Sequence, residues 1–294
     1  MPTAPPNHAP RRPPRHASLG VALILVTTAA FALPLVAMLA ASAFSQAQAD
    51  RPFSIAPLLT DPAGAAAQAS RNYRDVWTSD TADFPLYLKN SLLVTSLSVV
   101  GMVLSSAAVA FGLTRVRWRG ARVVFALVLA SLMIPFTVLM APLYLVYREL
   151  GWIGTFLPLW APAWLGGAFS IFLLRQFFLT IPREIDEAAR LDGCSEPALF
   201  LRVILPAAAP ALALVAILQF VASWNDFLQP LLVLNHPEQY TVALGLQMYQ
   251  SQHGGTPWNL VMAATTLAVL PVLAVYFIAS RRITDAAAAS GITE

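Results

Sequence analysis

The residues able to do chemistry fall into two groups. The first is the run from Thr180 to Pro206, which holds five of the fifteen acidic residues, Glu184, Asp186, Glu187, Asp192 and Glu196, interleaved with Arg183, Arg190 and Arg202. The second is Gln219 with Trp224, Asn225 and Asp226. An aromatic face beside amide and carboxylate groups can hold a polyhydroxylated solute, and a carboxylate in apolar surroundings can also carry a proton or an ion. Neither group is equipped for covalent catalysis. Cys194 is the single cysteine, His236 and His253 lack metal-ligand spacing, and there is no paired-carboxylate metal motif, His/Ser constellation or GxxxxGK[ST] phosphate loop. The chemistry on offer is binding and charge pairing, so the chain reads as a non-enzyme with no metal or cofactor of its own.

The elements that position these groups belong in a bilayer. Of 294 residues, 57% are hydrophobic and only 11% charged, with a mean hydropathy of +0.65, against roughly 25% charged in an average soluble domain. That composition excludes a soluble fold, a disordered chain and a disulfide scaffold. A crossing helix needs about 20 apolar residues, and six stretches qualify: Ser18 to Phe44, Leu88 to Leu113, Ala121 to Tyr147, Leu157 to Phe178, Ala207 to Leu234 and Leu260 to Ser280. None alternates polar and apolar residues as a barrel strand does. With six spans, Arg11, Arg12, Arg15, Arg115, Arg117, Arg119, Arg122, Arg183, Arg190, Arg202, Arg281 and Arg282 share one side. Only Arg51, Arg71, Arg74, Lys89 and Arg148 face the other. The positive-inside bias makes the richer side, with both termini, cytoplasmic. The net charge of +3 is therefore a topology signal and gives no case for nucleic acid.

The Thr180–Pro206 run reads as a cytoplasmic helix hairpin. Pro182 suits a first helical turn, and Glu184, Asp186 and Glu187 oppose the positive end of its dipole, with Arg190 near the negative end. Gly193 is the residue expected past the helix end, where positive φ is needed. Ser195 is a fit N-cap for a second helix with Pro197 in its first turn. Leu199, Phe200, Val203 and Ile204 give that helix an apolar side, and Pro206 joins it to the fifth span. The plainer alternative is an amphipathic connection lying on headgroups. Surface-lying helices are rich in Lys and Arg, whereas this one is acidic, so a groove on a protein fits better.

Glu187-Ala188-Ala189, Gly193 and Val203-Ile204-Leu205-Pro206 together resemble the EAA loop of ABC importer permeases, with Val203 where the family pattern has Ile. Asn90 to Val94, Ala110 to Arg115 and Ser223 to Leu228 resemble the carbohydrate-uptake branch, MalG-like or of the glycerol-3-phosphate type. The likeness covers about residues 70 to 294. It implies an all-α, six-span type I ABC importer permease fold with a coupling-helix hairpin. It also implies a sugar or polyol as solute, a second homologous permease, two copies of a cytoplasmic ATPase that bind ATP and Mg, an extracytoplasmic solute-binding protein, and residence in the cell inner membrane. Under the resemblance Glu187 contacts the ATPase, Ala188 and Ala189 allow close approach, and Gly193 sets the hairpin angle; Leu199 and Phe200 are candidate apolar knobs by their position in the hairpin alone.

The chain then divides into a disordered cytoplasmic tail (1–17), a first span with the start of an outer loop (18–69), a permease core (70–280) containing the hairpin (180–206), and a C-terminal tail (281–294). The first span, too long for a signal peptide's core, reads as an uncleaved anchor. The outer loop from Ser45 to Tyr87, with Tyr73, Trp77 and Phe84, reads as a short interfacial helix. Gln219, Trp224, Asn225 and Asp226 are candidates for the translocation path. The plainer reading of Asp226 is a brace for a helix break beside Pro230, and the rival function is a proton- or ion-coupled secondary transporter using that carboxylate. Arg175 is expected to snorkel, Pro135, Pro142, Pro158 and Pro162 to kink spans, and Gly166-Gly167 to permit close packing. The loop from His236 to Trp258 is a candidate surface for a solute-binding protein.

Overall fold

The computed structural model describes residues 15–79, 82–249 and 255–289, and its regular elements are helical throughout. Arg11, Arg12, the run Gln250 to His253 and residues 290–294 lie outside the described residues. Helix α1 spans Arg15–Ala41, and α2, Pro62–Trp77, is the longest helix of the loop that follows. The 31-residue α3, Phe84–Thr114, opens where Asp83 accepts the Leu86 N–H at 3.0 Å and Pro85 occupies the first turn. It is the central pillar: α6 (Ala168–Thr180), α8 (Ala209–Trp224) and the turn Ala161–Leu165 all pack on it. Helix α10, Trp258–Ala289, packs on α8, α1 and α2.

Among the described residues four segments are long and apolar enough to cross a membrane, or six if each of two bent pairs is one span. The third predicted span is one of those pairs. Helices α4 (Ala121–Ser131) and α5 (Phe136–Glu149) meet at 103°. Pro135 stands in extended conformation (φ −62°, ψ 135°) just ahead of α5; it has no N–H to continue the α4 ladder, so the chain breaks where a kink was expected. Of the other three prolines expected to kink spans, Pro142 alone is inside a helix, while Pro158 and Pro162 sit in first turns. The fourth span breaks at Gly166 (φ +86°) and Gly167, and a Cβ on Gly167 would press on the Met102 side chain, so this pair both bends and packs closely. The fifth span ends as a helix at Trp224 and resumes as α9, Leu228–Val233.

Burial concentrates at the two ends of the bundle. At one end Leu174, Phe178, Phe111, Ala110, Leu199, Ile204 and Val215 form a cluster; at the other, Val76, Phe84, Tyr87, Trp224, Val242 and Ala264 do. Small residues at Gly101, Ala107 and Ala110 let α3 take neighbours closely: a Cβ at Gly101 would run into Trp164, whose indole N–H donates to Leu97 O at 3.1 Å. The Asn90–Val94 stretch has a structural purpose. Asn90 Nδ2 donates to the Glu238 and Tyr240 carbonyls (2.9 and 3.0 Å), and Ser91 Oγ accepts the Val242 N–H (2.7 Å). The loop after α9 is thereby pinned to α3.

Candidate functional site: the hairpin and its joint to the spans

The hairpin forms as its residues dictate. Its first arm is α7, Arg183–Leu191, with Pro182 at the cap position just before the first turn and Glu184 and Asp186 within that turn. Helix α7 ends in a Schellman turn: Gly193 N–H bonds Arg190 O and Cys194 N–H bonds Ala189 O, each at 3.0 Å. Gly193 has φ +81° and open space around it, so its requirement is conformational and not steric. Ser195 occupies the next cap position, though its side chain makes no capping bond. Across the turn Arg190 clasps Glu196 with two hydrogen bonds, 2.7 and 3.3 Å. That bond holds the Glu196 carboxyl below its ordinary range and raises the Arg190 guanidinium. The second arm runs Glu196–Leu199, a π turn Phe200–Ile204 and Leu205–Ala207 before a 79° bend into α8.

The two faces of the hairpin are not those expected. Glu187, Ala188 and Gly193 are exposed and Ala189 half-buried, as a docking edge requires. Leu199, in contrast, is fully buried with Ile204 among Leu174, Phe178 and Phe111, and half-buried Phe200 packs on the Phe111 ring, 5.1 Å between centroids. These side chains anchor the hairpin to its own spans; they are not presented as knobs. The large apolar groups it does present are Leu191 (89% exposed), Leu201 (58%) and Ile185 (42%). The physical reason is phase: the second arm is too short to have two apolar faces, and the one it has covers the bundle.

The sequence reading missed the centre of the site. Arg115, just past α3, and Asp186 in α7 form an ion pair at 3.2 Å, with side chains 3% and 4% exposed. Arg115 Nη2 also donates to Phe178 O (3.1 Å) and Ile181 O (2.9 Å) at the end of α6. Burial pulls the Arg115 pKa down from its ordinary value, and Asp186 opposes that pull. Beside the pair a cleft of about 340 Å³ is lined by Arg115, Arg117, Arg183, Arg190, Asp186, Glu187 and Glu196. Arg115 had been counted among topology-setting arginines and Asp186 as a dipole partner; only the end-position of Arg115 in the Ala110–Arg115 stretch hinted at more.

The translocation-path candidates lie away from the hairpin, toward the other end of α8. Gln219 donates to Ser98 Oγ at 2.7 Å, tying α8 to α3. Trp224 is buried, stacked on Phe220 at 5.4 Å, with its indole N–H on Ala268 O at 3.1 Å. Its ring faces are taken up by packing, so it braces α8 against α10 instead of offering a stacking face to a solute. Asn225 is exposed and bonds Val221 O at 2.8 Å; half-buried Asp226 accepts the Gln229 N–H at 3.2 Å. Asp226 thus caps the break before Pro230, as the plainer reading had it. Arg175 stacks over the Phe125 ring at 3.9 Å. Tyr73, Trp77 and Phe84 stay together: Trp77, 49% exposed, lies 6.2 Å from the ring of buried Phe84, and Tyr73 packs on the same cluster. Among the described residues no group of three His, Cys, Asp or Glu side chains could hold a metal ion.

Known proteins are similar to this chain in sequence and in fold. The trehalose/maltose transport system permease protein MalG of Thermococcus litoralis is 35% identical over 204 residues, 69% of this chain and 73% of that protein. The sn-glycerol-3-phosphate transport system permease protein UgpE of Pectobacterium atrosepticum is 34% identical over 215 residues, 71% and 76% of the two chains. A chain in the crystal structure of a bacterial ABC transporter involved in the import of the acidic polysaccharide alginate superimposes with a TM-score of 0.75 at 20% identity, over 90% of this chain and 95% of that one. Residues 98–286, which include the C-terminal half of α3, the hairpin and most of α10, match the family described as the binding-protein-dependent transport system inner membrane component. This chain belongs to that family: it is a multi-pass permease subunit of an ABC importer.

Proposed function

We propose that this permease imports a sugar or a related polyol by alternating access, with the hairpin on the cytoplasmic side. Its assembly comprises a second, similar permease, two copies of a separate ATPase that bind ATP and Mg, and an extracytoplasmic solute-binding protein. ATP binding closes the ATPases, the hairpins approach, and the spans open outward; the permease makes and breaks no covalent bond. The observation that carries this reading is the hairpin itself. Glu187, Ala188 and Gly193 are exposed on one edge while Leu199 and Ile204 are fully buried in the span-end core, so a push on the exposed edge is delivered to the spans. The names of the relatives, which concern maltose, trehalose and sn-glycerol-3-phosphate, support the solute class.

The test is reconstitution of the complete assembly in liposomes with a panel of sugars and polyols. Uptake should require ATP and the binding protein and should withstand an uncoupler. Uptake that survives ATP depletion and collapses with the uncoupler would establish the ion-coupled alternative through Asp226. In the same assay Gly193→Asp should insert and retain the ATPase yet lose coupled uptake, because φ +81° costs a side-chain-bearing residue about 1–2 kcal/mol and re-aims the turn.

A further inference from the structure

The Arg115–Asp186 pair joins three elements through one guanidinium. Nη2 holds the Phe178 and Ile181 carbonyls at the end of α6, Nε faces Asp186 Oδ2 at 3.2 Å in the first turn of α7, and the residue itself continues from the last turn of α3. A guanidinium is a rigid planar fork, so none of the three can shift alone without breaking a contact. Asp186 is also the residue before exposed Glu187, the docking edge of the hairpin.

The pair is charged as well as incompletely satisfied, and that combination suits a moving joint. Both side chains are removed from water, yet Asp186 Oδ1 has no hydrogen-bond partner, and Arg115 Nε, though within ion-pair distance, is not aligned for a hydrogen bond. A buried pair contributes to stability only when its remaining donors and acceptors are met, and buried polar atoms are met as a rule. Here desolvation is incurred and two atoms are left able to re-partner. The other arm of the hairpin is held differently, by the apolar contacts of Leu199 and Ile204, which have no such freedom.

We infer that Arg115 and Asp186 are positioning residues that carry displacement of the hairpin into the ends of α3 and α6, so that the pair couples ATPase closure to span movement. The inference rests on the proposed permease function, and the experiment separates the two. In liposomes holding the full assembly, ATP-dependent uptake by the unaltered protein tests the function; its absence defeats that reading whatever the variants do. Given that uptake, Asp186→Asn keeps the shape of the side chain and leaves Arg115 free to hold both carbonyls. It should insert, retain the ATPase and hydrolyse ATP, with solute moved per ATP reduced about ten-fold or more, the usual range of a coupling interaction. Unchanged transport per ATP would overturn the inference. If Asp186→Asn does not insert, the double variant Arg115→Met, Asp186→Leu removes both charges while filling the space. Hydrolysis without matching uptake in that variant supports the joint. Restored coupled uptake, or failure of both variants to insert, assigns the pair to folding and overturns it.

Discussion

The two ends of the bundle are joined by opposite chemistry. At the end away from the hairpin, Asn72 on α2 is 1% exposed and makes every hydrogen bond an amide can make. Its Nδ2 donates to Ser42 O and Phe44 O (2.8 and 2.9 Å), and its Oδ1 accepts from Gln68 (2.9 Å) and Asn259 (3.1 Å). One neutral side chain thereby locks the exit of α1 and the start of α10 to α2. At the hairpin end the linking group is charged, buried and incompletely satisfied. A neutral amide loses less than an ion on desolvation, and Asn72 regains it through full pairing, which makes a firm clamp even though Asn259 Oδ1 beside it has no hydrogen-bond partner. A buried ion pair with orphaned atoms contributes less to stability and more to register. The difference assigns stiffness to one end and transmissible movement to the other.

A large effect on stability is expected at the clamp. Asn72→Ala strands the Ser42 and Phe44 carbonyls together with the Gln68 and Asn259 amides. At about 1–3 kcal/mol for each buried group left unpaired, and with some groups finding water, a loss of about 3 kcal/mol is expected in denaturant melts of the detergent-solubilised protein. Solute moved per ATP by the molecules that remain folded should be unchanged. A normal melt with uncoupled transport would reverse the roles of the two ends.

The next effect separates the inner from the outer face of the hairpin. Leu199→Ala opens a cavity in the span-end core and should cost about 2–5 kcal/mol. Leu191→Glu alters a side chain that is 89% exposed and should change the melt by less than about 0.5 kcal/mol. Retention of the ATPase on the purified permease should respond in the other order, falling about ten-fold for Leu191→Glu, as for loss of an apolar anchor at an interface. If Leu199→Ala instead sheds the ATPase with its melt intact, Leu199 is the knob the sequence suggested.

What could be read in advance follows from how local the cause is. Gly193 was legible because a Schellman turn after α7 depends on the backbone of its own neighbours, and the acidic first turn and Pro182 likewise announce themselves. The six apolar stretches were legible as stretches. The 103° angle between α4 and α5 was not, because Pro135 fixes where a helix stops but the next helix's direction is set by what it packs on. Asn72 and Arg115 were invisible for a related reason: their partners stand at Ser42, Asn259, Phe178 and Asp186, remote in the chain, and an arginine at a span end already has a sufficient explanation in topology. Trp224 misled because its composition of neighbours, Asn225 and Asp226, is that of a binding site, while its ring faces are decided by Phe220 and α10.

The smallest effect sharpens the contrast between the buried pair and the exposed one. Arg190 and Glu196 are 39% and 51% exposed, so solvent screens them and their clasp contributes less than about 1 kcal/mol. The bond to Arg190 holds Glu196 below its ordinary value of 4.5. A carboxyl whose folded value is depressed stabilises the fold above its unfolded value and loses that contribution as pH falls through the folded value. The melting difference between the unaltered protein and Glu196→Gln should therefore be constant from neutral pH down to near 4.5, then shrink as pH falls further. About 1 M salt, where the screening length is about 3 Å, should remove it at neutral pH as well. The Asp186→Asn difference should withstand the same salt, since neither Arg115 nor Asp186 meets the solvent that carries the ions. Equal salt sensitivity in both would mean that water reaches the Arg115–Asp186 joint, and its charge would then transmit no more than the clasp does.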